Sequence, residues 1–109
     1  MDDALRAVAD PTRRAILRLV REGELPAGRI AAHFPAMSRP AVSQHLRVLA
    51  DAGLVVVRAD RNRRLYRWRP EGLRDAAAYL EEMWSDRLVR LTSAAERALR
   101  EVPADQTNM

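Results

Sequence analysis

Apolar positions along this 109-residue chain recur at three- and four-residue intervals, except in one short stretch where they become a β-branched run. Leu5 and Val8 share a face and predict a short first helix over 2–8. Asp10-Pro11 marks a new start, with Asp10 as N-cap and Pro11 at the first helical position, where its missing N–H costs nothing. The helix that follows, about 11–22, carries Ile16, Leu17 and Val20 inward and Arg14, Arg18 and Arg21 outward, and Gly23 ends it. Pro26-Ala27 opens a short helix to about Phe34, with Ile30 and Phe34 turned inward. Pro35-Ala36-Met37 reads as a turn.

The next helix, 38–52, starts at Ser38 as N-cap with Pro40 in its first turn and stops at Ala52-Gly53. Val42, Leu46 and Leu49 form its apolar face. Pro40, Ser43, Gln44 and Arg47 fall on the far side, and Arg39 lies near the edge at the N-terminus. That far side holds no large aliphatic residue and is free to enter a groove. Leu54 to Val57 is short and β-branched and predicts a strand. Asp60-Arg61-Asn62 is turn chemistry, and Arg63 to Arg69 returns as a second strand, with Tyr66 and Trp68 facing the core and Leu65, Arg67 and Arg69 facing away. A helix with a polar outer face beside a basic hairpin is what a winged helix-turn-helix requires. The expected fold is mainly α with a small β-hairpin wing.

The last and longest helix is expected from Pro70 to about Arg100. Its stripe of Leu73, Ala77, Leu80, Trp84, Leu88, Leu91, Ala95 and Ala98 has nothing obvious in the sequence to pack against. The stripe reads either as packing within one subunit or as a dimerisation face, paired with its twin and with the first helix through Leu5. The second is favoured, because winged-helix readers of paired half-sites are usually dimeric. Val102-Pro103 stops the helix. The expected organisation is one DNA-binding and dimerisation domain over 1–101, followed by a polar tail over 102–109.

Charge sharpens this picture. All 19 basic residues are arginine and the net charge is +4. Residues 38–69 hold a net +6, whereas 1–37 hold +1 and 70–109 hold −3. A basic middle beside an acidic end suits one segment for nucleic acid and another for protein. There is no cysteine, hence no disulfide and no thiolate metal site. No apolar run approaches the ~20 residues of a membrane span, and no basic-then-apolar leader is present, so a cytoplasmic location without membrane partners is expected.

Four segments carry a family likeness: Asp10-Pro11-Thr12-Arg13-Arg14-Ala15-Ile16-Leu17, Ser43-Gln44-His45-Leu46-Arg47-Val48-Leu49, Ala52-Gly53-Leu54-Val55 and Arg63-Arg64-Leu65-Tyr66. Together, in this order and spacing, they resemble the ArsR/SmtB family of winged-helix repressors, from about residue 4 to about residue 99. The opening is most similar to the branch of small autorepressors without metal ligands. The resemblance implies a homodimer that binds a partly palindromic operator and blocks transcription, with an effector usually releasing the DNA. Metal-sensing members carry a Cys-x-Cys pair where this chain has Pro26 and Gly28, or Asp, His and Glu ligands on a last helix that here holds no histidine. No metal or cofactor is therefore expected, and the effector stays unnamed.

For DNA, base contacts are expected from Ser43, Gln44 and Arg47, with Arg39 close by. Glutamine can pair with adenine and arginine with guanine. Ser38 and the free N–H groups of its helix end suit a phosphate, and Pro40 suits a thymine methyl or acts only as a helix starter. Arg61, Arg63 and Arg64 at the wing tip are expected on the backbone or in the minor groove. His45, at the edge of the apolar face, reads first as a packing or helix-edge hydrogen-bonding residue, then as a phosphate contact, and last as a metal ligand. His33 is read as a surface or core-edge residue. Catalysis is not expected, because no P-loop, HExxH or Gly-rich phosphate cradle is present and Glu81-Glu82 diverge on their helix. The rival readings are a protein-interaction winged helix and a metal sensor with a site shared between subunits.

Overall fold

The computed structural model describes residues 1–101, so the expected polar tail lies outside the described residues. The order is α1 (Asp2–Val8), α2 (Pro11–Arg21), β1 (Leu25–Pro26), α3 (Ala27–Ala31), α4 (Arg39–Asp51), β2 (Val55–Asp60), β3 (Arg63–Trp68), a 3₁₀ turn (Pro70–Leu73) and α5 (Arg74–Arg100). The chain divides into two compact units, Met1–Ala76 and from Ala77 onward. Among the described residues no helix is long and apolar enough to cross a membrane.

In the first unit the expected caps are in place. The Asp10 carboxylate accepts from the Arg13 backbone N–H at 3.0 Å, and Ser38 Oγ accepts from Ala41 N–H at 3.2 Å. Each satisfies one of the N–H groups that a helix start leaves without a partner. The Arg13 N–H bond is also the main reason the Asp10 carboxyl is held below its ordinary pKa. α2 and α4 bury the faces the sequence marked: Ile16, Leu17 and Val20 on one, Val42, Leu46 and Leu49 on the other. With Ile30, Leu54 and Val55 they form one core. Full burial contributes roughly 1.5–3 kcal/mol for each large aliphatic side chain.

In α1, Ala4 and Ala7 are buried, while Leu5 and Val8 are half-buried. Alanine lets this short helix lie close against α2 and α4. The third helix ends at Ala31 rather than near Phe34, and Leu25-Pro26 ahead of it forms a strand. This strand pairs antiparallel with the other edge of β3, Leu25 opposite Tyr66 and Pro26 opposite Leu65, in a sheet ordered β1-β3-β2. Pro26 cannot donate to the ladder and is tolerated because β1 is an edge. β2 also runs on to Asp60, so the hairpin loop is only Arg61-Asn62, with Asp60 opposite Arg63. On β3, Tyr66 and Trp68 pack against the core as expected, yet Leu65 on the alternate face is the more buried, 5% exposed. It sits in the central strand between Pro26 and Arg58.

The start of the last helix also differs. Pro70–Leu73 is a 3₁₀ turn, and Leu73, expected in the dimer stripe, is half-buried against the first unit's core. This close return depends on Gly72, where an added Cβ would run into the Gly53 carbonyl. Gly53 itself has φ +74, which closes α4 in the left-handed region that glycine tolerates. Gly72→Ala is expected to destabilise the protein by about 1–3 kcal/mol, because backbone rather than a flexible side chain must move. Urea unfolding checks this, and an unchanged midpoint would contradict the close approach. In the second unit, Leu80, Trp84, Leu88 and Leu91 are exposed, Trp84 by 59%, and Ala77 is exposed as well.

Candidate nucleic-acid interface

Helix α4 presents Arg39, Pro40, Ser43, Gln44 and Arg47 to solvent, with Ser38 exposed at its start. Two features produce this: the apolar triad pins the opposite side, and the Ser38 cap fixes where the helix begins. The first-turn N–H groups carry the positive end of the helix dipole, and no acidic residue occupies that turn. The guanidinium of Arg39 extends beside Gly28 of α3.

The wing arginines separate according to the strand's alternation. Arg64, Tyr66 and Val57 share a cleft of about 360 Å³ with Ser43 and Arg47 of α4. Arg64 is therefore the wing residue that the fold brings together with the polar face of α4. Arg63, one residue away, forms an exposed ion pair with Asp60 at 3.4 Å. Arg58 is held by Glu24 through two bonds of 2.7 and 3.2 Å. The Arg58 hydrogen bond keeps the Glu24 carboxyl below its ordinary pKa. Arg69 donates to the Gly53 carbonyl at 3.1 Å. Among the described residues Arg39, Arg47, Arg61, Arg64 and Arg67 have no acidic partner within ion-pair distance. Sequence reading grouped Arg61, Arg63 and Arg64 and gave Arg67 no role at DNA. The acid within reach of each arginine sorts them differently.

Arg61 occupies the first position of the two-residue loop at φ 61. Loops with positive φ at that position favour glycine there. An L-residue in the left-handed region costs about 1–2 kcal/mol, against the ~0.5–1 kcal/mol of extra chain entropy glycine would lose. Arg61→Gly is thus expected to leave stability equal or slightly raised while lowering the salt slope of DNA binding by ~1. Thermal melting and a salt titration check the two effects separately, and a marked loss of stability would contradict the strain.

The two histidines take ordinary structural partners. His33 Nδ1 pairs with the Arg29 carbonyl at 3.0 Å. His45 Nδ1 lies 3.3 Å from Arg13 Nη1 and 3.9 Å from Asp10 Oδ2. These contacts fit the reading of His45 as a helix-edge hydrogen-bonding residue. Among the described residues no cluster of three His, Cys, Asp or Glu side chains could hold a metal ion. Sequence reading assigned Arg13 nothing. The structure makes it a clamp, and Arg14 assists it by donating to the Val8 carbonyl at 2.8 Å.

Comparison with known proteins agrees with this geometry. A helix-turn-helix domain family model matches residues 8–58. The chain is 45% identical over 84 residues to a helix-turn-helix-type transcriptional regulator of Mycobacterium tuberculosis, covering 77% of this chain and 78% of that protein. It is 44% identical over 55 residues to a transcriptional repressor of Bacillus subtilis, covering 50% and 60%. Among solved structures, an ArsR family transcriptional regulator superposes with a TM-score of 0.72 at 27% identity, covering 77% of this chain and 91% of that one. These relatives are regulators rather than enzymes. A helix with a solvent-facing polar side, an antiparallel wing whose arginine shares a cleft with that helix, and this kinship lead to one conclusion: the chain belongs to the ArsR family of winged helix-turn-helix transcriptional regulators, DNA-binding proteins by fold and descent.

Proposed function

We propose that the protein is a homodimeric repressor that binds a partly palindromic operator and needs no metal to do so. The observation that carries this reading is the uncommitted polar face of α4, with Arg39, Ser43, Gln44 and Arg47 exposed and Arg64 of the wing in one cleft with Ser43 and Arg47. In the major groove, Gln44 suits adenine N6 and N7, and Arg47 suits guanine O6 and N7. Ser38 Oγ already accepts the Ala41 N–H, so its own hydroxyl proton is what it offers a phosphate. Pro40, in the first turn, faces solvent where a thymine methyl would lie. Arg61, Arg63 and Arg64 supply backbone contacts, Arg63 after exchanging Asp60 for a phosphate. The exposed stripe of α5, from Ala77 through Leu91, pairs with a second copy, and α1 with Leu5 adds to that interface. With no cysteine, the chain has no thiolate to offer a soft metal ion.

Gel shifts on the DNA upstream of its own gene, run at two salt concentrations, test this. Binding should weaken steeply with salt, and footprinting should show two protected half-sites about one helical repeat apart. Titration with zinc or nickel should give no heat and leave the shift unchanged. Failure to capture any duplex in a salt-sensitive way would overturn the reading and favour a winged helix that binds protein. Heat on adding zinc would favour a metal site shared between subunits.

A further inference from the structure

The Asp10–Arg14 segment contributes none of the residues proposed to meet DNA, yet it holds the densest set of side-chain hydrogen bonds in the first unit. Arg13 Nε donates to the Ala7 carbonyl at 2.7 Å and Nη2 donates to the Arg6 carbonyl at 3.1 Å. Nη1 reaches His45 Nδ1 at 3.3 Å. One planar group therefore joins the last carbonyls of α1, the first turn of α2 and the middle of α4. The carbonyl end of a helix attracts a cation, so α1 holds the guanidinium in place. A guanidinium keeps its protons, so Arg13 is the donor and His45 Nδ1 must present a lone pair. The imidazole proton then lies on Nε2. Asp10 Oδ2, 3.9 Å from the same Nδ1, caps α2 through the Arg13 N–H.

His45 stands at the boundary of the two faces of α4. Its side chain is only 20% exposed. It follows Gln44 directly and precedes the buried Leu46. The apolar triad fixes which side of the helix faces the core, and a directional bond narrows its angle further. The bond at His45 is directional and lies one residue from the reading face.

We propose that Arg13 and His45 are positioning residues: Arg13, braced on the carbonyls of α1, fixes His45 and thereby the angle at which Ser43, Gln44 and Arg47 meet base edges. This rests on the assignment of those three side chains to the major groove. It also means that a displacement of α1 reaches the reading helix through one side chain.

The bridge is tested first without DNA. Nitrogen-15 spectra of the imidazole in the full-length protein should show the Nε2–H tautomer, and a proton on Nδ1 would overturn the proposal. In operator binding, His45→Leu should lower affinity about tenfold, the low range of what one misaligned base contact costs, and His45→Asn, whose Oδ1 can accept where Nδ1 did, should stay within about threefold of the parent protein. Arg13→Gln should add little in the His45→Leu background, because the same link is already broken. Both single variants should retain the parent's salt slope. A slope reduced by about one would show that His45 itself meets a phosphate and would overturn the positioning role. Equal losses for Leu and Asn, or additive losses for Arg13 and His45, would also overturn it. If His45→Leu fails to fold by circular dichroism, the tautomer and the Asn variant still decide. If the unaltered protein captures no duplex, the regulator reading fails instead, and the tautomer alone judges the bridge.

Discussion

Trp84→Asp combined with Leu88→Asp is expected to yield a monomer at micromolar concentration and to weaken operator binding by roughly 100-fold or more, the low end of what joining two binding modules contributes. Leu80, Trp84, Leu88 and Leu91 recur at intervals of four, four and three on α5, and all are exposed in the single chain. A stripe this apolar faces water at considerable cost, and a partner copy is the simplest cover. Carboxylates in its middle would be buried unpaired on association, which the assembly cannot sustain. The first unit has its own core, so its melting transition should persist in the variant. Sedimentation equilibrium reads the mass and a gel shift reads the affinity. A variant that stays dimeric would show that α5 is not the interface. One that becomes monomeric with undiminished binding would show that a single unit reads the whole site.

Arg47→Ala should cost about 1–3 kcal/mol on the operator and relax preference at one base pair. Arg61→Ala with Arg64→Ala should instead weaken binding to every duplex and lower the salt slope by about 2 for each protomer. The contrast follows from the proposed roles: Arg47, exposed on the polar side of α4, would meet a base edge, whereas the wing arginines, exposed on the hairpin, would meet phosphates. Arg47 and Arg64 also line one cleft, so their losses are expected to couple when both are removed. Competition titrations with operator and unrelated DNA over a range of salt separate the two roles. Equal losses on all sequences from both sets would dissolve the distinction.

Much of this was legible along the chain because the causes are local. The Asp10 and Ser38 caps act on N–H groups three residues away. The apolar faces of α2 and α4 repeat with the helix turn, and the wing follows a β-branched run and a turn. Misreadings fell where the cause lies elsewhere. Phe34 is spaced from Ile30 as one helix face requires, but the third helix stops at Ala31. Leu25-Pro26 has no strand signal of its own and becomes one because β3 offers an open edge. Leu73 fits the stripe by spacing, yet the 3₁₀ turn carries it to the first unit's core. Three arginines at the wing tip look alike in sequence, and only the reach of Asp60 sets Arg63 apart.

The sequence by itself determined the winged helix-turn-helix, the solvent-facing polar side of α4 and the basic wing, because helix period, capping and strand alternation are properties of neighbouring residues. Tertiary structure alone decided which arginines remain uncommitted, why Gly72 must be glycine, and what Arg13 does. Those outcomes depend on groups brought together from afar, Arg13 with His45 across 32 residues and Arg58 with Glu24 across 34, and no local pattern encodes a meeting over that distance.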